Sequence, residues 1–470
     1  MLKTRKSTKL LCAAISFIML FSSLITAAAA APSYAYHMIN SDDALHTKGD
    51  RIYNAKGQEV RLRGINLGGW LIQEEWFCPT SNNSCGDWYT METLEKRFGT
   101  EKMYALYDSY QDNWITEADF KNIADMGYNC VRIPFWYRNF QIDDNGTWRR
   151  DKHGNIDLSR LEWAVEMCRK YGLYAIPDLH GANGAQGNVD HCGRKFSYHF
   201  FDKDEKGEWY RAQACELWSV IARHFKDDPV IACFDLLNEP TCNDIGAPME
   251  KYVPFYDDAY KAIRKEDPKR LISMIAVWNA SKLPVPSKYG WTGVIYQFHF
   301  YNSTKLEFSQ GTRAFYYRFN VPVLAGEFHP TERNGILTCD MTDVLDAFEE
   351  KNTSWTQWTY KGMNGWAEGS DWFLYASNYR KCKIDPEKDS YETLMSKWGE
   401  RLRTDSGLFK PSTLYDYTKK HLPKAPLPTA PINTQKDVDK ANEPLNEVFA
   451  LLRAILEKVA NFFKKFATIY

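Results

Sequence analysis

From residue 51 onward, short apolar runs alternate with stretches whose apolar positions recur every three or four residues. The runs are "EVRLRGINL" (59–67), "NCVRIPF" (129–135), "LYAIPDLH" (173–180), "VIACFDLLNE" (230–239), "RLISMIAVW" (270–278), "GVIYQFHFY" (293–301), "VPVLAGEF" (321–328) and "SWTQWTY" (354–360). Most are apolar throughout rather than alternating, the pattern of parallel strands covered on both faces. Between them lie helical patterns. "TEADFKNIADMG" opens with Thr116 and Asp119 at capping-box spacing and stops at Gly127. Leu158, Leu161, Val165 and Cys168 share one face of a helix that ends at Gly172. Tyr252, Tyr256, Ala259, Tyr260 and Ile263 repeat through a third helix, which places Pro254 near its start. Eight strands alternating with helices predict an α/β fold, a (β/α)8 TIM barrel.

The two ends of the chain follow other patterns. Lys3, Arg5, Lys6 and Lys9 precede an apolar stretch from Leu10 to Ile25, and small-residue cleavage sites follow. Residues 1–35 therefore read as a signal peptide, too short and too rich in serine for a membrane span. At the other end, "LPKAPLPTAP" reads as a stiff extended linker over 422–443. Residues 444–470 form a strongly amphipathic pattern, with Leu445, Phe449, Leu452, Leu456, Phe463 and Phe466 on one face and Arg453, Lys458, Lys464 and Lys465 off it. This helical tail suits contact with a membrane surface or a protein. The catalytic barrel is expected over 36–421, in an exported protein with a possible cell-surface attachment.

Composition changes this picture little. Aromatic residues make up 15% of the chain, enough for a large core, and 59 basic residues balance 60 acidic ones. That balance argues against nucleic acid as a partner. Eleven cysteines are present, and Cys12 leaves with the signal. Cys78 and Cys85 could close one small loop, whereas Cys130, Cys168, Cys215 and Cys233 sit in apolar patterns as buried thiols. His180, His191 and His199 match no metal-ligand spacing, so no metal and no cofactor is expected.

Candidate chemistry lies where the strands end, because barrels of this kind work at the C-terminal ends of their strands. Arg132, His180, Asn238 with Glu239, His299 with Tyr301, Glu327 and Trp358 all fall there. Each alone has a bland reading as an ion pair or a core residue. Together they deliver polar groups to one face. Two carboxylates facing each other across a barrel mouth can cleave a glycosidic bond: one protonates the leaving oxygen, the other attacks the anomeric carbon or activates water. In that scheme Arg132 supports the nucleophile and Tyr301 orients it. Asn238 hydrogen-bonds the sugar 2-hydroxyl, and Trp358 stacks on a pyranose ring.

These motifs resemble glycoside hydrolase family 5, whose eight active-site positions are matched by Arg132 in "VRIPF", His180 in "DLHG", Asn238 and Glu239 in "LLNEP", His299 and Tyr301 in "FHFY", Glu327 in "GEF" and Trp358 in "TQWTYKG". The match covers roughly residues 51–420. It implies a retaining β-glycosidase with Glu239 as acid/base and Glu327 as nucleophile. Within the family, "RLRGINLGGWLIQEEW" (61–76) is similar to the opening of enzymes that release glucose from β-1,3-glucan. That likeness implies that Glu74, with Trp70 of the same motif, contacts the terminal sugar and favours exo action. "GEFHP" and the stretch 359–372 depart from the fungal members, and the loop 365–373 is expected to shape the far side of the cleft. The expected substrate is a β-glucan polysaccharide or oligosaccharide. Alternatives are an endo-β-1,4-glucanase, a glycolipid glucosidase, and, from another class, an inactive glycan-binding protein.

Overall fold

The computed structural model describes residues 36–240, 249–277, 282–301, 319–330, 332–333, 336–337, 341–363 and 372–422. The chain divides into one unit, Met38–Ala425, and a second formed by Met1–His37 and Pro426–Tyr470. The signal segment, the linker from 423 and the amphipathic tail all lie outside the described residues, as do Trp278 and residues 365–371 of the 365–373 loop. Among the described residues no helix is long and apolar enough to cross a membrane.

Eight parallel strands close a barrel. They are β1 (Arg63–Asn66), β2 (Cys130–Trp136), β3 (Tyr174–Gly181), β4 (Cys233–Asp235), β5 (Leu271–Ile275), β6 (Val294–Phe300), β7 (Val323–Phe328) and β8 (Ser354–Gln357). All eight expected strands are present, and β8 pairs with β1 through Trp355 and Arg63 to shut the cylinder. Every residue of β2 and β3 is buried, which accounts for their continuous apolar character.

The helices start and stop where local chemistry dictates. The helix Glu117–Asp125 begins at the Thr116–Asp119 capping box, where the Thr116 N–H donates to Asp119 Oδ2 at 2.7 Å. The helix Ser159–Tyr171 ends at Gly172, which is left-handed at φ 70°. The helix Val253–Glu266 carries Pro254 in its first turn, where no N–H is needed. Two further helices, Asp87–Phe98 and Thr100–Trp114, fill the connection between β1 and β2.

The barrel interior is packed tightly around polar groups. A Cβ on Gly326 would fall 1.4 Å from Gln297 Oε1, so only glycine fits there. Gln297 in turn donates to Asp235 Oδ1 at 2.6 Å and Ser273 Oγ at 2.9 Å. That contact holds the backbone immediately before Glu327.

Cys78 and Cys85 are both free thiols. Cys78 is buried, where its sulfur accepts from the Glu74 N–H at 3.4 Å, while Cys85 donates to the Asn83 carbonyl at 3.4 Å. Their sulfurs serve different neighbours, so the small loop is not cross-linked.

Candidate active site

At the C-terminal ends of the strands a pocket of about 330 Å³ is lined by Glu74, Trp76, His180, Val189, His191, Asn238, Glu239, Tyr301, Glu327, Trp358 and Trp372. Seven of the ten residues singled out in the sequence line it directly. Arg132 lies beneath the floor and His299 between the two lining glutamates.

Arg132 organises the floor. It is fully buried on β2, and its guanidinium donates Nε to Asp235 Oδ2 at 2.8 Å. Nη1 donates to Glu327 Oε1 at 2.8 Å and Asn66 Oδ1 at 3.0 Å. Nη2 donates to Asn238 Oδ1 at 2.9 Å and lies 3.0 Å from Asp178 Oδ1. One cation thus faces three buried carboxylates. Burial pushes Asp178 up to about 7 against the pull of Arg132, and raises Asp235 in the same way. Burial alone would lower Arg132, but the three carboxylates outweigh it and raise it.

Asn238 is oriented by this arrangement. With its oxygen taken by Arg132, its amide faces His180 Nε2 at 3.3 Å as a donor. His180 Nδ1 therefore carries the proton toward Asp178 Oδ2, 2.7 Å away. Burial lowers His180 to about 3, so it stays neutral. Trp358 stacks on its ring at 5.6 Å and 9°.

The two glutamates have different surroundings. Glu327, at the end of β7, accepts from Arg132 on Oε1 and from the Tyr301 hydroxyl on Oε2 at 2.8 Å. Glu239 follows the short strand β4 in a left-handed conformation at φ 37°, costly for a residue with a side chain. Its Oε1 lies 2.6 Å from His299 Nδ1 and its Oε2 lies 3.0 Å from His191 Nε2. A register shift between Phe298 and His299 brings His299 opposite Glu327, 3.5 Å from Oε2. One atom each from Glu239, His299 and Glu327 lies within 4.8 Å of the others. Each of the three side chains is engaged by a protein neighbour. Burial pushes Glu239 up, but hydrogen bonds from His191 and His299 prevail and hold it well below the usual carboxylate range.

Glu74 forms another wall, hydrogen-bonded by Trp76 Nε1 at 2.7 Å. Burial pushes its carboxyl up to about 8. Trp70 is not brought to the site. It is 1% exposed, donates Nε1 to the Gln111 carbonyl at 2.9 Å and packs edge-on against Trp163. The Gly68–Gly69 turn points its ring into the core behind Glu74, so Trp70 is a packing residue.

Trp76, Val189 and His191 are lining residues that the sequence did not single out for this pocket, while Trp372 comes from the 365–373 loop expected to shape the far side of the cleft. Trp76 and Trp372 meet edge-on at 5.7 Å, and Trp372 stacks on His329 at 3.9 Å. Trp76 lies two residues beyond Glu74 and could have been found from that spacing. His191 sits on a single 3-10 turn, Asp190–Cys192, within the loop after β3, too short for periodicity to signal a direction.

Residues 88–364 match the family model described as cellulase (glycosyl hydrolase family 5). A glucan 1,3-beta-glucosidase of Candida oleophila is 28% identical over 74% of this chain and 79% of its own. A beta-xylosidase of Phanerodontia chrysosporium is 27% identical over 68% and 71%. The structure of a rutinosidase from Aspergillus niger superposes with a TM-score of 0.50 at 15% identity, covering 64% of this chain and 90% of that one, a likeness of fold.

Proposed function

The chain belongs to glycosyl hydrolase family 5, and from that premise we propose that it is an exported, retaining β-glucan hydrolase that releases glucose from chain ends and favours β-1,3 linkages. The observation that carries this reading is the pair of buried carboxylates, Glu239 and Glu327, which approach within 4.8 Å in the pocket floor. Retaining glycosidases place their carboxyl groups about 5 Å apart, whereas inverting ones leave about 6.5–9.5 Å for a water.

In this mechanism Glu327 attacks the anomeric carbon while Glu239 protonates the departing oxygen. The resulting glycosyl ester on Glu327 is cleaved by a water that Glu239 deprotonates. Arg132 and Tyr301 fix both oxygens of Glu327 for in-line attack. The Asn238 side-chain amide, held by Arg132 and His180 while Gln186 donates to the Asn238 backbone carbonyl, is placed to bind the 2-hydroxyl. Trp358 offers its face to the ring.

Exo action is supported by the small size of the pocket, at the lower end of the usual range of roughly 300–1,000 Å³. Glu74 and the Trp76–Trp372 edge support it further by walling one side. The β-1,3 preference is supported by the Candida oleophila relative. The family model's own description as cellulase favours the second reading, cleavage within β-1,4 chains.

Product analysis on laminarin and carboxymethylcellulose tests the proposal, with Glu327→Gln as control. Glucose from laminarin alone is the expected result. Oligomers from carboxymethylcellulose would move the assignment to an endo-β-1,4-glucanase. Binding without turnover would make the protein a glycan-binding one.

A further inference from the structure

A general acid must carry a proton when substrate arrives, yet the free site holds Glu239 well below the usual carboxylate range. The two imidazoles that cause this are not equivalent. His299 is fully buried between Glu239 Oε1 and Glu327 Oε2. His191 reaches Glu239 Oε2 from the loop after β3, and 23% of its side chain is exposed. Oε2, on the longer 3.0 Å contact, is therefore the oxygen whose partner can give way to a glycosidic oxygen.

We propose that His191 is the positioning residue that loads Glu239 with its proton, the two sharing one proton along the Nε2–Oε2 hydrogen bond. This rests on the glycosidase reading above. In the free protein the proton sits on His191, as imidazolium against carboxylate. Sugar entry strips water from that charge pair, and the lost hydration disfavours the two ions against the neutral pair, so the His191 Nε2–H bond breaks and a Glu239 Oε2–H bond forms. His191 is left as neutral imidazole and Glu239 as carboxylic acid. Glu239 then passes the proton to the leaving oxygen as Glu327 takes the anomeric carbon. In the second step Glu239 takes a proton from the attacking water, and on product release that proton returns to His191. The proton count closes over one turnover.

Titratable and charged groups face this pair from every side. Asp190 precedes His191 on the same loop, Arg194 beyond it is paired with Asp144, and His180 and Asp178 lie at the end of β3. His299 comes from β6 and Tyr301 from the residue just after it, Glu327 from β7 and Arg132 from β2. Glu74 comes from the segment after β1, and its carboxyl is influenced by the His191 charge. His180 stays neutral and its ring centroid is 6.1 Å from that of His191, so it does not compete for the proton.

The test is His191→Asn, which keeps an N–H donor but cannot titrate. Kinetics are followed from about pH 5 to 9 on two substrates. An alkyl β-glucoside needs acid catalysis to depart, and a 2,4-dinitrophenyl β-glucoside does not. The expected result is a loss of about tenfold or more in kcat/KM on the alkyl glucoside with the dinitrophenyl glucoside nearly unaffected. The alkaline limb of the alkyl-glucoside profile should move to lower pH by about one unit, because the most basic proton site of the pair is gone. Dinitrophenyl turnover also reports that the variant is folded. An equal loss on both substrates, or an unmoved alkaline limb, overturns the proposal. If the wild type cleaves neither glucoside, the functional reading falls and this proposal falls with it. If Glu239→Gln shows no difference between the two substrates, the acid assignment fails, separately from His191.

Discussion

Glu327 and Glu239 are chemically identical side chains in one pocket, and their surroundings give them different behaviour. Glu327 is held by Arg132, a cation that does not titrate in water, and by a tyrosine hydroxyl that burial raises far above neutral pH. Glu239 is held by two imidazoles, His299 buried on Oε1 and His191 part-exposed on Oε2. The first setting suits a carboxylate that stays in place and attacks. The second suits one that gives and takes a proton.

The largest expected effect breaks the fixed half of this comparison. Glu327→Gln removes the attacking oxygen and should lower kcat by roughly 10⁴-fold or more on every β-glucoside, with the circular-dichroism spectrum unchanged. Near-normal turnover would remove Glu327 from the nucleophile role.

Breaking the titrating half should be selective rather than uniform. Glu239→Gln should cost about 10²–10⁴-fold on substrates with poor leaving groups and much less for the first step on an activated aryl glucoside. A uniform loss across leaving groups would mean that Glu239 acts through structure alone.

Much of this comparison was readable from the sequence and part of it was not. The eight strands were legible because β2, β3 and β7 are buried along their whole length and so are mostly apolar, interrupted only by Arg132, Asp178, His180 and Glu327. Asn238, Glu239 and Glu327 were legible as polar residues that end such runs, whereas Arg132, expected at a strand end, is the third residue of β2, which runs on to Trp136. Their partners were not. Arg132 meets Asp235 103 residues away, and only barrel closure brings them together. The run 230–239 also read as one strand, whereas β4 stops at Asp235 and the chain leaves the ladder to turn at Glu239. Trp70 misled because an indole after two glycines at a strand end looks like a binding group. Its direction is decided by the Gln111 carbonyl, on a helix that the strand pattern does not report. His191 carried no signal, since a loop side chain acquires direction only from tertiary contacts.

The Arg132 network offers the next test. Arg132→Met leaves Asp178, Asp235 and Glu327 buried without their cation, and should cost about 3–5 kcal/mol in urea unfolding. The loss should be smaller near pH 5 than near pH 8, because Asp178, already pushed up to about 7, can then be neutral. An equal loss at both pH values would show that packing, not charge, is what Arg132 supplies.

Glu74 sharpens the contrast with the smallest effect. It is a third carboxyl in the same pocket, but neither an arginine nor a directly bonded imidazole holds it. Burial dominates, so it is pushed up from 4.5 to about 8. Between those values the folded protein binds a proton that the unfolded chain has released. Stability from this group is full below about pH 4.5 and is lost as pH rises toward 8. Gln keeps the shape and cannot titrate. Glu74→Gln should therefore leave stability nearly unchanged near pH 5 and gain roughly 1–2 kcal/mol relative to the wild type near pH 8. A full pH unit between the folded and unfolded titration is worth about 1.4 kcal/mol, and screening at the open side of the pocket reduces it. Urea unfolding of both proteins at the two pH values measures the gain. If the difference between them does not change with pH, Glu74 is ionised in the fold, and the pocket would hold three anionic carboxylates rather than two that work beside one that binds as a neutral acid.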